Sequence, residues 1–91
     1  MKKNKLPNFL KALGHPVRQQ LLKELGIKEE MNVNELVKRV NLAQSTVSHH
    51  LAILKSAGVI IVREEGTQSL YRICCKEIVS CCERVKKTYV K

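Results

Sequence analysis

The stretch from Asn34 to Leu54, NELVKRVNLAQSTVSHHLAIL, carries two apolar patterns of helical period joined by a tight turn at Asn41-Leu42. In the first, Leu36, Val37 and Val40 recur at three- to four-residue spacing and define one buried stripe. In the second, Val47, Leu51 and Leu54 do the same. With that stripe turned inward, Gln44, Ser45, Ser48 and His49 must face outward. A helix bearing a row of amide, hydroxyl and imidazole groups suits the major groove of a duplex. There those groups meet base edges and phosphates. His50 is expected to pack and hydrogen-bond at the edge of the core, and His15 to suit the break before Pro16.

Charge points the same way. The chain has 91 residues, 17 basic against 8 acidic, and a formal net charge of +9. Lys2, Lys3, Lys5, Lys11 and Arg18 fall in a leading stretch with no acid, an excess that attracts polyanions by counterion release. Only Phe9, Tyr71 and Tyr89 are aromatic, too few to hold single strands by stacking, so double-stranded DNA is the favoured polyanion. Nothing resembles a basic amphipathic helix with bulky apolar anchors, and no membrane partner is expected. MKKNKLPN lacks the apolar run of a signal peptide, and no segment approaches about 18 consecutive apolar residues. A cytoplasmic protein with its cysteines mostly as thiols is expected. A chain this short builds a thin core, and a partner subunit would add burial.

Residues 1–5 read as a basic arm. Pro7 opens a first helix with Phe9, Leu10 and Leu13 on one face, ending at Gly14. After the break at His15-Pro16, a second helix buries Val17, Leu21, Leu22 and Leu25, with Gly26 as its stop. Asn32 or Asn34 caps the next helix, with Glu35 near its positive end. The polar-faced helix runs to Lys55 or Ser56 and ends at Ala57-Gly58. VIIVREE and TQSLYRI then form a hairpin turning at Glu65-Gly66, with Arg63, Thr67, Gln68 and Arg72 near its tip or exposed side. A last helix over 76–88 carries Ile78, Cys82 and Val85 on one stripe, which Tyr89 continues. The order predicts one domain over 1–91, mainly α with a small β-hairpin. It is a winged helix-turn-helix with additional N- and C-terminal helices.

From Phe9 to Ile73 the chain resembles the ArsR/SmtB family of bacterial winged-helix repressors. The resemblance is carried by FLKALGHPVRQQLLKEL, VNELVKRVNLAQSTVSHHLAILKSAGVI and VREEGTQSLYRI. It implies a homodimer joined through its first and last helices, with the two recognition helices in successive major grooves of operator DNA. It also implies release of the DNA on a metal, metalloid or redox signal. Gln44, Ser45, Thr46, Ser48 and His49 match the family's recognition-helix positions. Arg63, Thr67 and Gln68 lie in its wing, which reaches toward the adjacent groove or backbone. Ala43 stands where the family often has Ser, and alanine offers no oxygen to cap the recognition helix.

Every cysteine falls within nine residues, as Cys74-Cys75 and Cys81-Cys82. Cys82 shares the stripe of the last helix and also suits plain packing in a dimer seam. Seven residues of straight helix cover about 10.5 Å, whereas thiolates on one ion lie within about 4 Å of each other. Cys74 and Cys81 therefore cannot share an ion along one unbroken helix. Either the first pair precedes the helix and folds back, or both subunits supply ligands. Three or more thiolates without imidazoles favour trivalent arsenic or antimony, with cadmium, lead and monovalent copper as further options.

The resemblance sharpens this reading. Some arsenite-responsive members carry a C-terminal Cys-Cys pair with another cysteine seven positions beyond the first, as in Cys74, Cys75 and Cys81, with Cys82 as an extra. The segment NELVKRV lacks the cysteines of other metalloid sensors. The last helix offers only Glu77 and Glu83 where zinc and nickel sensors use an Asp/His set.

Other readings stand beside this one. Lys76, Arg84 and the start of the last helix favour reactive thiolates, which suits a redox or persulfide sensor. A constitutive DNA binder with packing cysteines and a metal-sequestering protein also remain. No Ser/His/Asp or Cys/His constellation and no glycine-rich phosphate loop argues for catalysis.

Overall fold

His15 and Pro16 start the first complete helix by complementary means. His15 is extended (φ −124°, ψ 131°), and its Nδ1 accepts the Val17 N–H at 3.1 Å, satisfying one orphan donor. Pro16 takes the first helical position, where a missing N–H costs nothing. This helix, α1, spans Pro16–Lys28 and is followed by α2 (Val33–Val40), α3 (Gln44–Ser56), β1 (Ile60–Glu65) and β2 (Gln68–Ile73). A computed structural model of the chain describes residues 11–74. The arm at 1–5, Phe9, Leu10, the helix expected over 76–88 and Cys75, Cys81 and Cys82 lie outside the described residues. Residues 11–13 are helical and end at Gly14, whose N–H donates to the Lys11 carbonyl at 3.2 Å.

Helix α1 does not stop at Gly26 as the sequence suggests. It continues to Lys28 and ends at Glu29, where φ is +75° and the N–H donates to the Leu25 carbonyl. The glycine stays helical, so its freedom at positive φ is not what terminates the helix. The strained residue is the glutamate after it. Of the two candidate caps for α2, Asn32 is the one used. Its side chain accepts from Glu35 N–H, and the Glu35 carboxylate accepts from Asn32 N–H, both at 2.8 Å, a reciprocal capping box. Asn41, left-handed at φ 57° and ψ 48°, ends α2 and turns the chain toward α3.

Ala43 precedes α3 with no side-chain cap, as its methyl group dictates. The other end is tightly made. Gly58 N–H donates to Lys55 O and Val59 N–H to Leu54 O, each at 3.0 Å, around Gly58 at φ +80°. This is the Schellman arrangement. The hairpin pairs Ile60 with Ile73 through Glu65 with Gln68, so its two-residue turn is Gly66-Thr67, one position later than expected. Gly66, at φ +63°, takes the first turn position, where a type II′ turn needs glycine. Met31 bridges Tyr71 through N–H···O bonds of 3.0 and 2.8 Å, tying the α1–α2 connection to β2.

The core gathers the predicted stripes: Leu21, Leu22 and Leu25 from α1, Leu36 and Val40 from α2, and Val47, Leu51 and Leu54 from α3. Val59 and Ile60 close it from the hairpin and Leu13 from the leading segment. Met31 is also buried. The result is mainly helical with one antiparallel hairpin, as the sequence predicts.

Two glycine-to-alanine changes should act in opposite directions. At Gly58 the added methyl meets nothing within 4 Å, so Gly58→Ala costs only the left-handed backbone, about 1 kcal/mol. At Gly26 it meets Ile73 Cδ1 at 3.9 Å, an ordinary contact, so Gly26→Ala should stabilise by about 0.5 kcal/mol. Urea midpoints of the two variants check the pair of signs.

Candidate nucleic-acid interface

The rotation of α3 about its own axis decides which side chains it offers. Val47, Leu51 and Leu54, at 0–1% exposure, lock one side of the helix into the core. Gln44, Ser45, Ser48 and His49 consequently stand exposed on the other side, and Thr46 is half-buried beside them. The five recognition positions therefore form one surface, with four side chains fully available to a partner. An amide, two hydroxyls and an imidazole supply both donors and acceptors there, at the spacing of successive helical turns.

His50 belongs to the inward side, 8% exposed, and its partners come from α1. Arg18 Nε donates to His50 Nδ1 at 3.2 Å, and Arg18 Nη1 donates to the Lys11 carbonyl at 3.1 Å. The His15 ring lies 4.6 Å from that of His50, centroid to centroid, and the His49 ring 5.3 Å away on the other side. All three histidines of the chain thus meet at the joint between α1 and the recognition helix. Sequence alone suggests packing for His50 and a break for His15; it misses that His15 caps α1 and that Arg18 joins the two helices. No local signal marks a contact across 32 residues.

Both joint imidazoles use Nδ1 as an acceptor, which requires that nitrogen to be unprotonated. Burial lowers the pKa of His50, and His15, Arg18 and His49 push it the same way. Burial, then Arg18, lower that of His15.

The hairpin presents its three expected residues differently. Thr67 is exposed at the tip. Gln68 Oε1 accepts from Asn32 Nδ2 at 2.5 Å. Arg63 is engaged by Glu30 through Nε at 2.8 Å and Nη2 at 3.0 Å, with Glu65 a further 3.4 Å from Nη2. That bidentate bond holds the Glu30 carboxyl below the usual carboxylate range. The pairing leaves the Nη1 edge of Arg63 outside the bonds made among the described residues, and its side chain is 51% exposed. Arg63 is thus a fixed and partly neutralised cation, a partnership with the α1–α2 connection that spacing does not reveal.

Cys74 follows β2 directly, half-buried against the core, with its N–H donating to the Val59 carbonyl at 3.0 Å. It therefore precedes any last helix. Among the described residues no three His, Cys, Asp or Glu side chains converge to hold a metal ion. No helix among them is long and apolar enough to cross a membrane.

Helix pair, exposed recognition surface and two-stranded wing together define a winged helix-turn-helix of the DNA-binding regulator class. Residues 15–62 match the sequence profile of bacterial regulatory proteins of the arsR family, and the chain belongs to that family. An HTH-type transcriptional regulator of Methanocaldococcus jannaschii is 40% identical over 72 residues, covering 79% of this chain and 81% of that protein. The biofilm growth-associated repressor of Xylella fastidiosa is 36% identical over 70 residues, or 77% of this chain, which spans only 60% of that longer protein. Among solved structures, a homodimeric winged helix-turn-helix DNA-binding domain from Mycobacterium bovis superposes with a TM-score of 0.80. It is 29% identical, over 91% of this chain and 76% of that one. The family and these relatives are transcriptional regulators, not enzymes.

The histidine joint predicts how stability responds to acid. An unfolded imidazole takes up its proton near about pH 6.5, whereas His15 and His50 resist until lower pH. Between those points the unfolded chain binds more protons, so stability should fall as the pH drops below the mid-sixes and level off once both have titrated. In His50→Gln the amide oxygen can still accept from Arg18. Urea unfolding at stepped pH should show a shallower acid slope for that variant than for the wild type.

Proposed function

We propose that this chain is a homodimeric transcriptional repressor. It reads operator DNA through α3 and leaves it when trivalent arsenic or antimony engages Cys74, Cys75 and Cys81. The single observation that supports the DNA half is the exposed row Gln44, Ser45, Ser48 and His49 on a helix whose opposite side is sealed. Gln44 has the amide fork that pairs with an adenine edge. Ser48 and His49 bond base edges, Ser45 a base edge or a phosphate, and Thr46 packs at the margin of that contact. Thr67 and the Nη1 edge of Arg63 reach the neighbouring backbone, with Gln68 bracing the wing through Asn32. A two-fold dimer sets two such helices about one duplex turn apart, matching a near-palindromic site. The whole chain acts as a single unit, with the arm at 1–5 and a dimerisation helix over 76–88.

For the sensing half, support comes from the placement of Cys74 between the hairpin and the C-terminal segment that carries the other three thiols. Chelation there favours one geometry of that segment over another. Such a differential contact is what couples an inducer to DNA affinity. Cys82 is a fourth donor within the same group. Cadmium, lead and monovalent copper share the preference for thiolate and are the further options.

Gel shifts on a duplex obtained by in vitro selection separate the two halves. Replacing Ser48 and His49 by Ala should weaken specific binding at least about fivefold while sparing binding to unrelated duplex. Unchanged affinity and discrimination would remove the DNA-reading assignment. Arsenite should release the wild type but not a Cys74→Ser, Cys75→Ser variant; equal retention of DNA by both removes the sensor assignment. Release by peroxide or a persulfide donor, reversed by thiol and not mimicked by arsenite, would transfer the signal to thiol oxidation.

A further inference from the structure

Beside the recognition row, the surface drops into an open groove of about 700 Å³ between residues 11–18 and the C-terminal half of α3. Lys11 and Arg18 stand on one side, His49 and Ser56 on the other, and Ala52 and Ile53 contribute to its lining. Among the described residues no carboxylate lines it. We propose that this groove seats the sugar–phosphate backbone of one DNA strand, with Lys11 and Arg18 as phosphate contacts separate from the base-reading row. The inference rests on the DNA-binding reading of α3 and extends it to a second surface.

Three observations carry it. First, the groove continues the recognition surface: Ser45, His49, Ala52 and Ser56 follow at four-, three- and four-residue steps, one stripe along α3. A duplex lying against Ser45 and His49 is carried along that stripe to Ala52 and Ser56. There the side chains are small enough to admit a backbone close to the helix. Second, the charge of the described lining is of one sign. Two cations and a hydroxyl, with no carboxylate among the described residues of the groove, are complementary to a polyanion. The hairpin and the α1–α2 connection beneath it, by contrast, set Glu30, Glu64 and Glu65 beside Arg63 and Arg72. The groove, not the wing, therefore supplies net positive charge beside α3. Third, Arg18 is already held in place. Its bonds to His50 and the Lys11 carbonyl use two of its five N–H groups, and the remaining donors meet a phosphate without ordering the side chain anew.

Phosphate contacts strengthen binding to every sequence alike and are read in its salt dependence, each contributing about 0.9 to the slope of log affinity against log salt. Binding of the full chain should be titrated from low to moderate salt on two 30-base-pair duplexes, one selected and one of mixed sequence. Lys11→Gln and Arg18→Gln should each reduce the slope by about 0.9 per subunit, by the same amount on both duplexes. Lys23→Gln is the control: Lys23 is exposed on α1 about 140° around the axis from Arg18 and should leave the slope as in the wild type. Lys11 contributes only its carbonyl to the joint, so Lys11→Gln tests the groove without disturbing the fold. Wild-type slopes in Lys11→Gln and Arg18→Gln, with Ser48 and His49 still needed for discrimination, overturn the groove alone. No duplex binding by the wild type overturns both the groove and the reading of α3.

Discussion

The seating of Val47, Leu51 and Leu54 in the core decides nearly everything this chain presents to a partner. A helix of 13 residues is marginal by itself in water, so α3 exists because that stripe is buried, at about 1.5–3 kcal/mol per large side chain. The same burial fixes its rotation. A turn of about 100° about its axis, one residue's worth, would drive Ser48 toward the apolar interior and lift Val47 or Leu51 into water. Core packing and presentation of the polar row are thus one constraint.

Two polar clasps hold the remaining degrees of freedom. At one side of the domain, Arg18 joins His50 to the Lys11 carbonyl, so α1, α3 and the leading segment meet at a single guanidinium. On the other, the Glu30–Arg63 pair, the Asn32–Gln68 bond and the Met31–Tyr71 bridge fasten the hairpin to the α1–α2 connection. That connection follows Glu29 at positive φ and leads directly into the Asn32 capping box. The wing angle is therefore inherited from the end of α1 and the start of α2, independently of the tip.

Much of the architecture is legible in the chain because burial follows period. Leu36 and Val40, then Val47, Leu51 and Leu54, mark their helices by spacing alone, and the β-branched run from Val59 marks the hairpin. The misplaced features are those where local preference yields to tertiary context. Gly26 suggests a helix end, yet the reversal falls at Glu29, three residues on, where the Met31 bridge to Tyr71 draws the chain away. The four exposed recognition residues are readable because they are what the apolar stripe leaves over. The pairings of Arg18 with His50, Arg63 with Glu30 and Gln68 with Asn32 are not, since each spans more than thirty residues and only the folded chain brings them together.

Val59 occupies an unusual junction. Its N–H closes the C-terminal end of α3 through the Leu54 carbonyl, while its own carbonyl accepts the N–H of Cys74. The root of the hairpin and the last turn of α3 are thereby stitched through one residue. A pull on the chain at Cys74 need not travel through the whole hydrophobic interior to reach α3. It arrives by two hydrogen bonds and the backbone of a single residue, a lever arm a few ångströms long.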